Sequence, residues 1–534
     1  MKQLRAEVLV VGGGLGGVAA ALAAARAGRS VILTEEFDWL GGQLTSQAVP
    51  PDEHTWIEQF GATASYRALR NGIRDYYRRY YPLTERSRAW VDLNPGAGWV
   101  SRLCHEPRVS LAVIEAMLAP YRGSGRLVVL QPYRPVAATT DGDRVLGVTV
   151  RHRDRDEQID ITAPYILDAT ETGELLPLTG TEYVTGFESR AETGEPSAPE
   201  QAQPLNMQAI SVCFAIDHVD GDHTIDRPAS YNFWREYKPG FWGDRLLSWR
   251  SPHPRTLEIV ERSFTPNPDD DPLAVNADQR VNPGDGNLWT FRRIAARRNF
   301  VEGAYASDIT LVNWPMIDYF EGPVIDVPDA QTHLQRAREL SFSVLYWLQT
   351  EAPRPDGGTG YPGLRLRGDI TGGSDGLAQA PYIRESRRIR AEYTVVEQDL
   401  SLAIRGSHGA VKYPDSVGIG MYRIDLHPST GGDNYIDVAC CPFEIPLGAL
   451  IPRRVENLIP AGKNIGTTHI TNGCYRLHPV EWNIGEVAGL LADFCLVRGE
   501  SPRAVRNTPR LLADFQDRIT AAGVPLRWPE IAGY

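Results

Sequence analysis

The 534-residue sequence predicts an α/β fold whose first domain is built on a parallel β-sheet. The chain opens with a hydrophobic strand, residues 6–11, which runs directly into a glycine loop at 12–17. An alanine-rich helix over 18–27 follows, and a second hydrophobic strand, 31–34, ends at Glu35. A strand, a helix and a strand in this order form a right-handed crossover, so the two strands are expected to lie parallel in one sheet.

The glycine loop has the Gly-x-Gly-x-x-Gly spacing that binds a dinucleotide. Gly12 allows the tight turn, Gly14 lets backbone amides reach a pyrophosphate, and Gly17 lets the helix pack on the strand. The helix N-terminus offers free amides to the phosphates, and Glu35 can accept hydrogen bonds from ribose hydroxyls. A tight turn without a ligand is the alternative. The complete order of strand, loop, helix, strand and acid favours the dinucleotide site.

Composition and charge exclude several classes of partner. The net charge of −12 opposes non-specific binding to nucleic acid or acidic membranes, so neither is expected as a partner. No apolar run reaches the length of a transmembrane helix, and the first residues lack the order of a signal peptide. The sequence therefore predicts a cytoplasmic protein with a small-molecule substrate, and it leaves a homo-oligomer open. The basic run at 292–298 is expected to be a solvated helix face or a pocket for an anionic substrate.

The six cysteines indicate neither a metal ion nor a cluster. They lie at positions 104, 213, 440, 441, 474 and 495 without a Cys-x-x-Cys pair, whereas zinc and iron–sulfur sites need ligands at short spacing. We therefore expect no metal site and mostly buried free thiols. A strained disulfide between Cys440 and Cys441 is the alternative to two packed thiols.

The elements after Glu35 extend the first domain. A glycine pair at 41–42 lets the backbone pass close to a flat ligand. The aromatic and arginine-rich residues 52–92 indicate inserted helices. Turn residues separate further strand-like runs, which predict a hairpin or meander over 126–130, 144–150 and 158–161 and a return strand with a small-residue turn over 164–173.

The rest of the chain predicts a second domain and a return to the first. Residues 200–440 are rich in Pro, Asp and Gly and are expected to lie over the cofactor, partly as mixed sheet and partly as helices near 331–350 and 381–400. Residues 457–462 resemble another parallel strand, and 486–497 a helix. The tail, 503–522, has helical periodicity, with one apolar face formed by Leu511, Leu512, Phe515 and Ile519. The predicted division is a first domain of 1–200 and 441–500 with a helical insertion at about 50–95, a substrate or cap domain of 201–440, and a C-terminal helical tail of 501–534.

Three separated motifs together resemble one flavoprotein family. They are the 12–17 loop with Glu35, the Asp-Ala-Thr-x-x-Gly segment at 168–173, and the Ile-Pro-Ala-Gly-Lys-Asn segment at 459–464 before a glycine-bearing helix at 485–489. In this combination the chain resembles the proteins that share the FAD fold of glutathione reductase. Shorter motifs resemble the FAD-dependent oxidoreductase subgroup related to heterodisulfide reductase A, often labelled xanthan lyase; they lie at 39–43, 100–107, 313–315, 381–388 and 475–476. The chain lacks the cysteine clusters of that reductase, so an iron–sulfur relay is not expected.

The resemblance covers most of residues 5–500 and implies a Rossmann-like FAD-binding domain, a parallel sheet plus a β-meander, with a discontinuous α+β substrate or cap domain. It implies FAD in an extended form, with adenine near Glu35 and the isoalloxazine between the domains. The last helix, starting near 482–485, is expected to point its N-terminus at the flavin and to stabilise negative charge there. The residues that the resemblance assigns to FAD are Gly12, Gly14, Leu15, Gly16, Gly17, Glu35 and Glu36; Gly41, Gly42, Gln43 and Thr45 beside the flavin; Arg102; Ala169, Thr170 and Gly173 on the adenosine side; Gly462, Lys463 and Asn464 at the ribityl phosphate; and Asn483 and Ile484.

No second nucleotide loop is apparent in the sequence, so electrons are expected to come from the substrate. The expected activity is a dehydrogenase or oxidase that removes hydride from a C–H next to oxygen or nitrogen, with flavin reoxidised by oxygen or another acceptor. A monooxygenase reduced by NAD(P)H and a non-redox binding protein with FAD as scaffold are the alternatives. Covalent attachment of the flavin through Cys104, His105 or Cys474 is left open.

The segment 467–479 is expected to be a loop that faces the flavin. A neutral imidazole can accept a proton near neutral pH and an arginine can hold a carboxylate with two hydrogen bonds. The expected base and substrate anchor are therefore among His469, Tyr475, Arg476 and His478, with His427, in a strand-like pattern, as a further candidate. The alternatives are turn capping by His469, a scaffold ion pair of Arg476 and a sheet histidine at 427. Structural ion pairs on a helix are expected for Arg384, Arg387 and Arg388 with Glu385.

Overall fold

A computed structural model describes residues 2–274 and 286–534. Residues 275–285, which belong to the predicted middle domain, lie outside the described residues. The strands are β1 (Lys2–Arg5), β2 (Val8–Val11), β3 (Val31–Thr34), β4 (Leu127–Leu130), β5 (Tyr133–Asp141), β6 (Arg144–His152), β7 (Gln158–Thr162), β8 (Tyr165–Asp168), β9 (Tyr183–Val184), β10 (Phe214–His218), β11 (Arg250–Pro252), β12 (Ile259–Glu261), β13 (Arg293–Ala295), β14 (Ile309–Val312), β15 (Leu364–Leu366), β16 (Arg388–Ile389), β17 (Ser416–Gly420), β18 (Ile424–Leu426), β19 (Ile436–Val438), β20 (Phe443–Pro446) and β21 (Leu458–Pro460).

Helices connect and cover these strands. They are α1 (Leu15–Arg26), α2 (Ala64–Tyr80), α3 (Glu85–Ala89), α4 (Pro107–Gly123), α5 (Leu175–Thr179), α6 (Arg190–Thr193), α7 (Tyr231–Glu236), α8 (Leu288–Phe291), α9 (Ala330–Thr350), α10 (Gly368–Thr371), α11 (Leu402–Arg405), α12 (His469–Tyr475), α13 (His478–Arg498), α14 (Pro502–Asn507) and α15 (Pro509–Ala521).

The first domain is centred on a five-stranded parallel sheet with the order β21-β8-β2-β3-β4. The predicted pairing of the first two hydrophobic strands is confirmed, since Val8 pairs with Val31 in parallel register. The predicted return strand and the predicted late strand are confirmed as β8 and β21, which pair with each other in parallel. The prediction that 126–130 belongs to a meander is wrong, because β4 pairs in parallel with β3 and is the edge of this sheet.

The two faces of the parallel sheet are buried against different layers. Val8 and Val10 of β2 pack with the alanines of α1 and with α13, whereas Leu9 and Val11 pack with the second sheet. That second sheet has the order β1-β7-β6-β5 and contains the predicted meander, since β6 is antiparallel to both β5 and β7. A strand buried on both faces reads as a continuous apolar run, which is why Val8–Val11 shows no polar alternation.

Glycines bring α1 and α13 unusually close together. A Cβ atom at Gly485 of α13 would lie 2.0 Å from the Gly16 carbonyl oxygen, and one at Gly489 would lie 2.3 Å from the Ala20 carbonyl oxygen. Because no side chain fits between the backbones, the two helices are held in one register. This contact fixes the start of α13 next to the glycine loop.

The middle of the chain forms a mixed arrangement around the antiparallel sheet β13-β14-β10-β15. The predicted helix near 331–350 is confirmed as α9, which buries Leu340, Val344 and Leu348 on one face. The predicted helix near 381–400 is wrong, because these residues form the two-residue strand β16, a 3₁₀ turn and extended segments. The tail forms the two helices α14 and α15, and of its predicted apolar face Phe515 and Ile519 are fully buried.

Candidate functional site

The glycine loop joins the carboxyl end of β2 to α1, and its glycines are required for different reasons. Gly12 has a φ of +98°, and a Cβ atom there would lie 2.3 Å from the Ala169 carbonyl oxygen. At Gly17 a Cβ atom would lie 1.9 Å from the Gly12 carbonyl oxygen. At Gly14, by contrast, the first obstacle is the end of the Glu171 side chain at 2.7 Å. The protein itself therefore requires glycine at 12 and 17, whereas Gly14 leaves a backbone surface for a ligand.

Helix α1 begins at Leu15 with Gly14 as its N-cap, and no side chain caps its first turn. Glu35, at the end of β3, closes the other side of the loop, where its carboxylate accepts hydrogen bonds from the backbone amides of Gly13 and Phe37 at 2.8 Å each. Burial raises the pKa of Glu35 to about 8. The acid thus lies against the glycine turn, and its predicted contact with ribose stays a prediction. Glu36 is half-buried, and its backbone carbonyl accepts a hydrogen bond from Arg153 at 3.3 Å.

A buried charged cluster lies beside Gly14. Lys463 makes a close ion pair with Glu171 and lies 3.7 Å from a carboxylate oxygen of Glu481. Glu481 also accepts a short hydrogen bond from the Gln43 amide. Burial raises the pKa of Glu481 to about 7, against the opposing charge of Lys463. Of these residues, Gln43 and Lys463 were predicted from the sequence, whereas neither acid was.

Three further segments meet the glycine loop at the carboxyl end of the parallel sheet. Gly42 has a φ of +48°, and a Cβ atom there would lie 2.8 Å from the Cα atom of Gly14. The Ala169 amide donates to Val11 at 2.8 Å, which holds the turn after β8 against the glycine loop. The Asn464 amide donates to the Asp168 carbonyl at 3.0 Å and joins the turn after β21 to β8. The structure thus brings together most of the predicted cofactor residues, namely Gly12, Gly14, Leu15, Gly16, Gly17, Glu35, Gly41, Gly42, Gln43, Thr45, Ala169, Thr170, Gly173, Gly462, Lys463 and Asn464.

Three predicted cofactor residues have other surroundings. Asn483 lies within α13 and donates to the Val417 carbonyl at 3.3 Å, and Ile484 is buried in the core beside it. Arg102 lies in the loop before α4, where its carbonyl accepts from Arg74 at 3.4 Å. The expectation that the last helix starts near 482–485 is wrong, because α13 begins at His478 with a proline in its first turn.

A cavity of about 190 Å³ lies between the first domain and the middle of the chain. Its lining includes six arginines, four carboxylates and seven aromatic side chains, so it is both charged and able to contact flat apolar groups. Two of the predicted catalytic residues, His427 and Arg476, line it. Arg476 donates to the Tyr382 hydroxyl at 2.7 Å and pairs with Asp425 at 3.1 Å.

His427 follows β18 and is oriented by a buried acid. Its Nδ1 donates to Asp318 Oδ2 at 2.6 Å, and its Nε2 lies 3.8 Å from Asp425 Oδ2. Asp318 also pairs with Arg384 at 3.0 Å and accepts from the Ser211 hydroxyl at 2.7 Å. Burial by itself raises the pKa of Asp318, but the charge of Arg384 and the interaction with His427 lower it to about 2. An ionised Asp318 keeps the proton on Nδ1, so Nε2 is the nitrogen that can accept one.

The other predicted catalytic residues do not line the cavity. His469 Nδ1 lies 2.9 Å from Glu385 and the ring stacks on Phe187 at 3.6 Å. The Tyr475 hydroxyl donates to the Glu444 carbonyl at 2.7 Å. His478 Nδ1 accepts from the Asp52 amide at 3.0 Å, and burial holds the pKa of His478 well below its usual range.

The expectation of a loop over 467–479 is wrong because most of the segment is helical. Thr468 and Thr471 form a reciprocal cap that starts α12 at His469. Helix α12 turns His469 and Tyr475 into the protein core and leaves Arg476, at its end, on the cavity, whereas His478 is buried as the first residue of α13. A Thr-x-x-Thr pattern at 468–471 is the sequence signal that could have indicated the helix.

The arginines at 384, 387 and 388 make structural ion pairs, as predicted, although not on a helix. Arg384 pairs with Asp318, and Arg388 pairs with Glu385 at 2.5 Å and with Glu188 at 3.0 Å. The basic run at 292–298 is not a solvated helix face. Arg292 and Arg293 are buried, and Arg292 lines the cavity. The second expectation for this run, a pocket for an anionic substrate, is the one that the geometry favours.

The six cysteines form no disulfide bond. All six thiols are buried and free, as predicted for most of them, and Cys440 and Cys441 form no disulfide. Over 2–274 and 286–534, no group of His, Cys, Asp and Glu has the arrangement of a metal site. Within the same residues, no helix has the length and apolar character needed to cross a membrane.

Comparison with known proteins identifies a family over almost the whole chain. The family profile described as "FAD dependent oxidoreductase" matches residues 7–519. No curated protein matches the sequence.

Similar solved structures are distant. One is a geranylgeranyl bacteriochlorophyll reductase-like protein from Thermoplasma acidophilum, 11% identical over 98% of this chain and 85% of that one, with a TM-score of 0.30. Another is the glycerol-3-phosphate dehydrogenase from Bacillus halodurans complexed with FAD, 16% identical over 40% of each chain, with a TM-score of 0.23. A third is the L-proline dehydrogenase from P. horikoshii, 16% identical over 35% of this chain, with a TM-score of 0.19; the match spans 24% of that protein. Similarity at this level does not indicate what the chain acts on.

Proposed function

The chain belongs to the FAD-dependent oxidoreductase family, and from that premise we propose that it is a dehydrogenase or oxidase of a small organic substrate bound in the arginine-rich cavity. It is an enzyme, and FAD is its cofactor. Within the family we propose membership of the subgroup related to heterodisulfide reductase A, on the motifs at 39–43, 100–107 and 381–388. We also propose the division into an FAD domain of 1–200 and 441–500, a substrate domain of 201–440 and a tail of 501–534.

The residues at the glycine loop fit FAD. The first turn of α1 offers uncapped amides beside Gly14, and Glu35 is placed to accept hydrogen bonds from ribose. Several buried polar atoms around the loop have no hydrogen-bond partner, as expected where a polar cofactor supplies the partners; they include Glu171 Oε1, Asn464 Oδ1 and Gln43 Oε1. Lys463 is the cation that can neutralise a diphosphate there. We infer that its ion pair with Glu171 opens when FAD binds, because a carboxylate beside a diphosphate is repelled.

Bound FAD would supply the hydride acceptor of the reaction and a route for the electrons to oxygen or another acceptor. The protein must then remove one proton from the hydroxyl or amine of the substrate. His427 is the residue that we propose for this step, because Nε2 is its basic nitrogen and the residue lines the cavity. Asp318 holds the imidazole in place and stabilises the imidazolium that forms. The contact between Asp318 and His427 is the single observation that carries this assignment.

An anaerobic screen tests the proposal. The holoenzyme is mixed without oxygen with panels of small hydroxy acids, amino acids and alcohols, and separately with NADH and NADPH, while the visible flavin absorbance is recorded. We expect at least one organic compound to bleach the flavin and neither nicotinamide to do so. Rapid bleaching by NADPH alone would indicate a monooxygenase instead. A flavin that no compound reduces would favour a binding role.

A further inference from the structure

The cavity lining carries more positive than negative side chains, six arginines against four carboxylates. Arg423 pairs closely with Asp437, and Arg476 pairs with Asp425 at 3.1 Å. Glu53 is already neutralised from outside the lining by Arg70 at 2.9 Å. These pairs account for three of the four carboxylates of the lining and leave Asp52 as the remaining one.

Arg292 has more unused buried donors than Arg384 or Arg476, since each of those lining arginines leaves only its Nε atom without a partner. It is nine-tenths buried at the end of α8, yet its Nε and Nη1 atoms make no hydrogen bond. Asp52 Oδ1 lies 3.8 Å from Nη1, which is too far for a hydrogen bond, and that oxygen also has no partner. A buried guanidinium with two unused donors is unfavourable unless a ligand supplies acceptors.

The neighbours of Arg292 add further unused donors. The side-chain amide of Asn313 and the indole N–H of Trp314 belong to the same lining, and neither has a partner. Among the unpaired buried atoms of these four residues, four are nitrogen donors and one, Asp52 Oδ1, is an acceptor. A ligand that completes this set must bring acceptors, and a carboxylate brings two acceptor oxygens and a negative charge.

The cavity walls indicate the shape of the rest of the ligand. Phe291, Trp314, Tyr382, Tyr422 and Tyr435 surround the space, whose volume is about 190 Å³. Flat rings favour the stacking or edge contacts of a planar group over a branched aliphatic one. The volume and the aromatic walls thus match a small ring and leave the charged end for Arg292.

We propose that the substrate is a small planar organic acid whose carboxylate is held by Arg292, with Asn313 and Trp314 as additional donors. This inference rests on the proposed function, because it assumes that the cavity is the substrate site. It assigns to Arg292 the role of substrate anchor that the sequence suggested for Arg476. Arg476 is already paired with Asp425 and therefore has less capacity for a second anion.

Binding of benzoate to the FAD-loaded enzyme tests the proposal without any redox step. Isothermal calorimetry and the visible flavin spectrum are recorded during titration with benzoate and with benzyl alcohol, which has the same ring but no charge. We expect benzoate to bind and benzyl alcohol to bind at least about tenfold more weakly. In Arg292→Met the dissociation constant for benzoate should rise by about tenfold or more, and Arg292→Lys should keep part of the affinity.

Arg245→Met is the matched control, since Arg245 is exposed and pairs with Glu236 on the surface at 2.8 Å. Its benzoate affinity should equal that of the wild type. Equal benzoate affinity in Arg292→Met, or equal binding of benzoate and benzyl alcohol to the wild type, would overturn the proposal. Loss of FAD from folded Arg292→Met would also overturn it, because Arg292 would then serve the cofactor. If Arg292→Met does not fold, two measurements still test the proposal. They are the comparison of benzoate with benzyl alcohol in the wild type and the benzoate affinity of Arg292→Lys.

The outcome is distinguishable from that of the proposed function. Arginine-dependent benzoate binding in an enzyme that no compound reduces would uphold this inference and reject the redox role. Flavin reduction by a neutral substrate, with no benzoate binding, would uphold the redox role and reject this inference.

Discussion

At the scale of single residues, the proposed chemistry depends on the contact between His427 and Asp318. Asp318 is buried and its pKa is lowered to about 2, so it stays ionised at any pH at which the enzyme is handled. We expect His427→Asn to lower the rate of flavin reduction by about 10²- to 10⁴-fold, because a general base contributes that much. Stopped-flow reduction under anaerobic conditions measures it.

Asp318→Asn separates a base from a merely structural histidine. The variant keeps the size of the side chain but removes the charge that fixes the proton on Nδ1. We expect slower reduction and a changed pH–rate profile, with unchanged FAD content. A profile identical to that of the wild type would show that His427 does not act as the base.

Residues differ in how far the sequence could predict their roles. The positions of Gly12, Gly14, Gly17 and Glu35 were predictable because these four residues lie within one local strand–loop–helix–strand unit. Asp318 was not, since it meets His427 from 109 positions away in the chain and carries no local motif. The choice between the two candidates His469 and His427 has the same origin, because only the folded chain shows that His427 lines a cavity and His469 does not.

At the scale of elements, the close contact of α1 with α13 sets the position of the glycine loop. We expect Gly489→Ala to lower the free energy of unfolding by about 1–3 kcal/mol, because its Cβ would lie 2.3 Å from the Ala20 carbonyl oxygen. Urea denaturation measures the change. Gly123→Ala is the control, since no atom lies within 4 Å of a Cβ there. Equal stability of the two variants would show that the helices can separate without cost.

Elements with strong local signals were predicted and those set by distant partners were not. The strands β2, β3, β8 and β21 are short apolar runs, and α9 has a clear apolar face. Residues 381–400 contain charges at helical spacing but pair instead with distant segments, as Arg388 does with Glu188. The strand β4 was recognised as a strand but assigned to the wrong sheet, because local pattern does not specify the partner of an edge strand.

At the scale of the whole molecule, buried acids predict an unusual pH dependence of the FAD-free protein. Burial raises the pKa of Glu35 to about 8 and those of Glu174 and Glu195 to about 7. His54 and His105, whose pKa burial lowers to about 4, are neutral in the folded state and mostly neutral in the unfolded state above about pH 7. Between about pH 7 and 8 the folded chain therefore holds protons that the unfolded chain has lost.

Stability must then fall as the pH rises through this range, because the folded state binds more protons. Thermal unfolding of the apoprotein at several pH values measures the fall. Glu35→Gln should show a shallower fall than the wild type, since it lacks one of the titrating groups. A melting temperature that rises over the same range would contradict the assignment of these acids as protonated in the fold.

We propose that FAD binds at the glycine loop, and the FAD content of purified Gly14→Val tests this most directly. Unlike Gly12 and Gly17, Gly14 has only side-chain atoms, those of Glu171 and Glu481, nearest to its Cβ position, so the variant is expected to fold with a wild-type circular dichroism spectrum. Its side chain would occupy the surface needed by the pyrophosphate. We expect a colourless protein that no substrate can reduce. A yellow Gly14→Val protein with the FAD content of the wild type would show that the cofactor lies elsewhere.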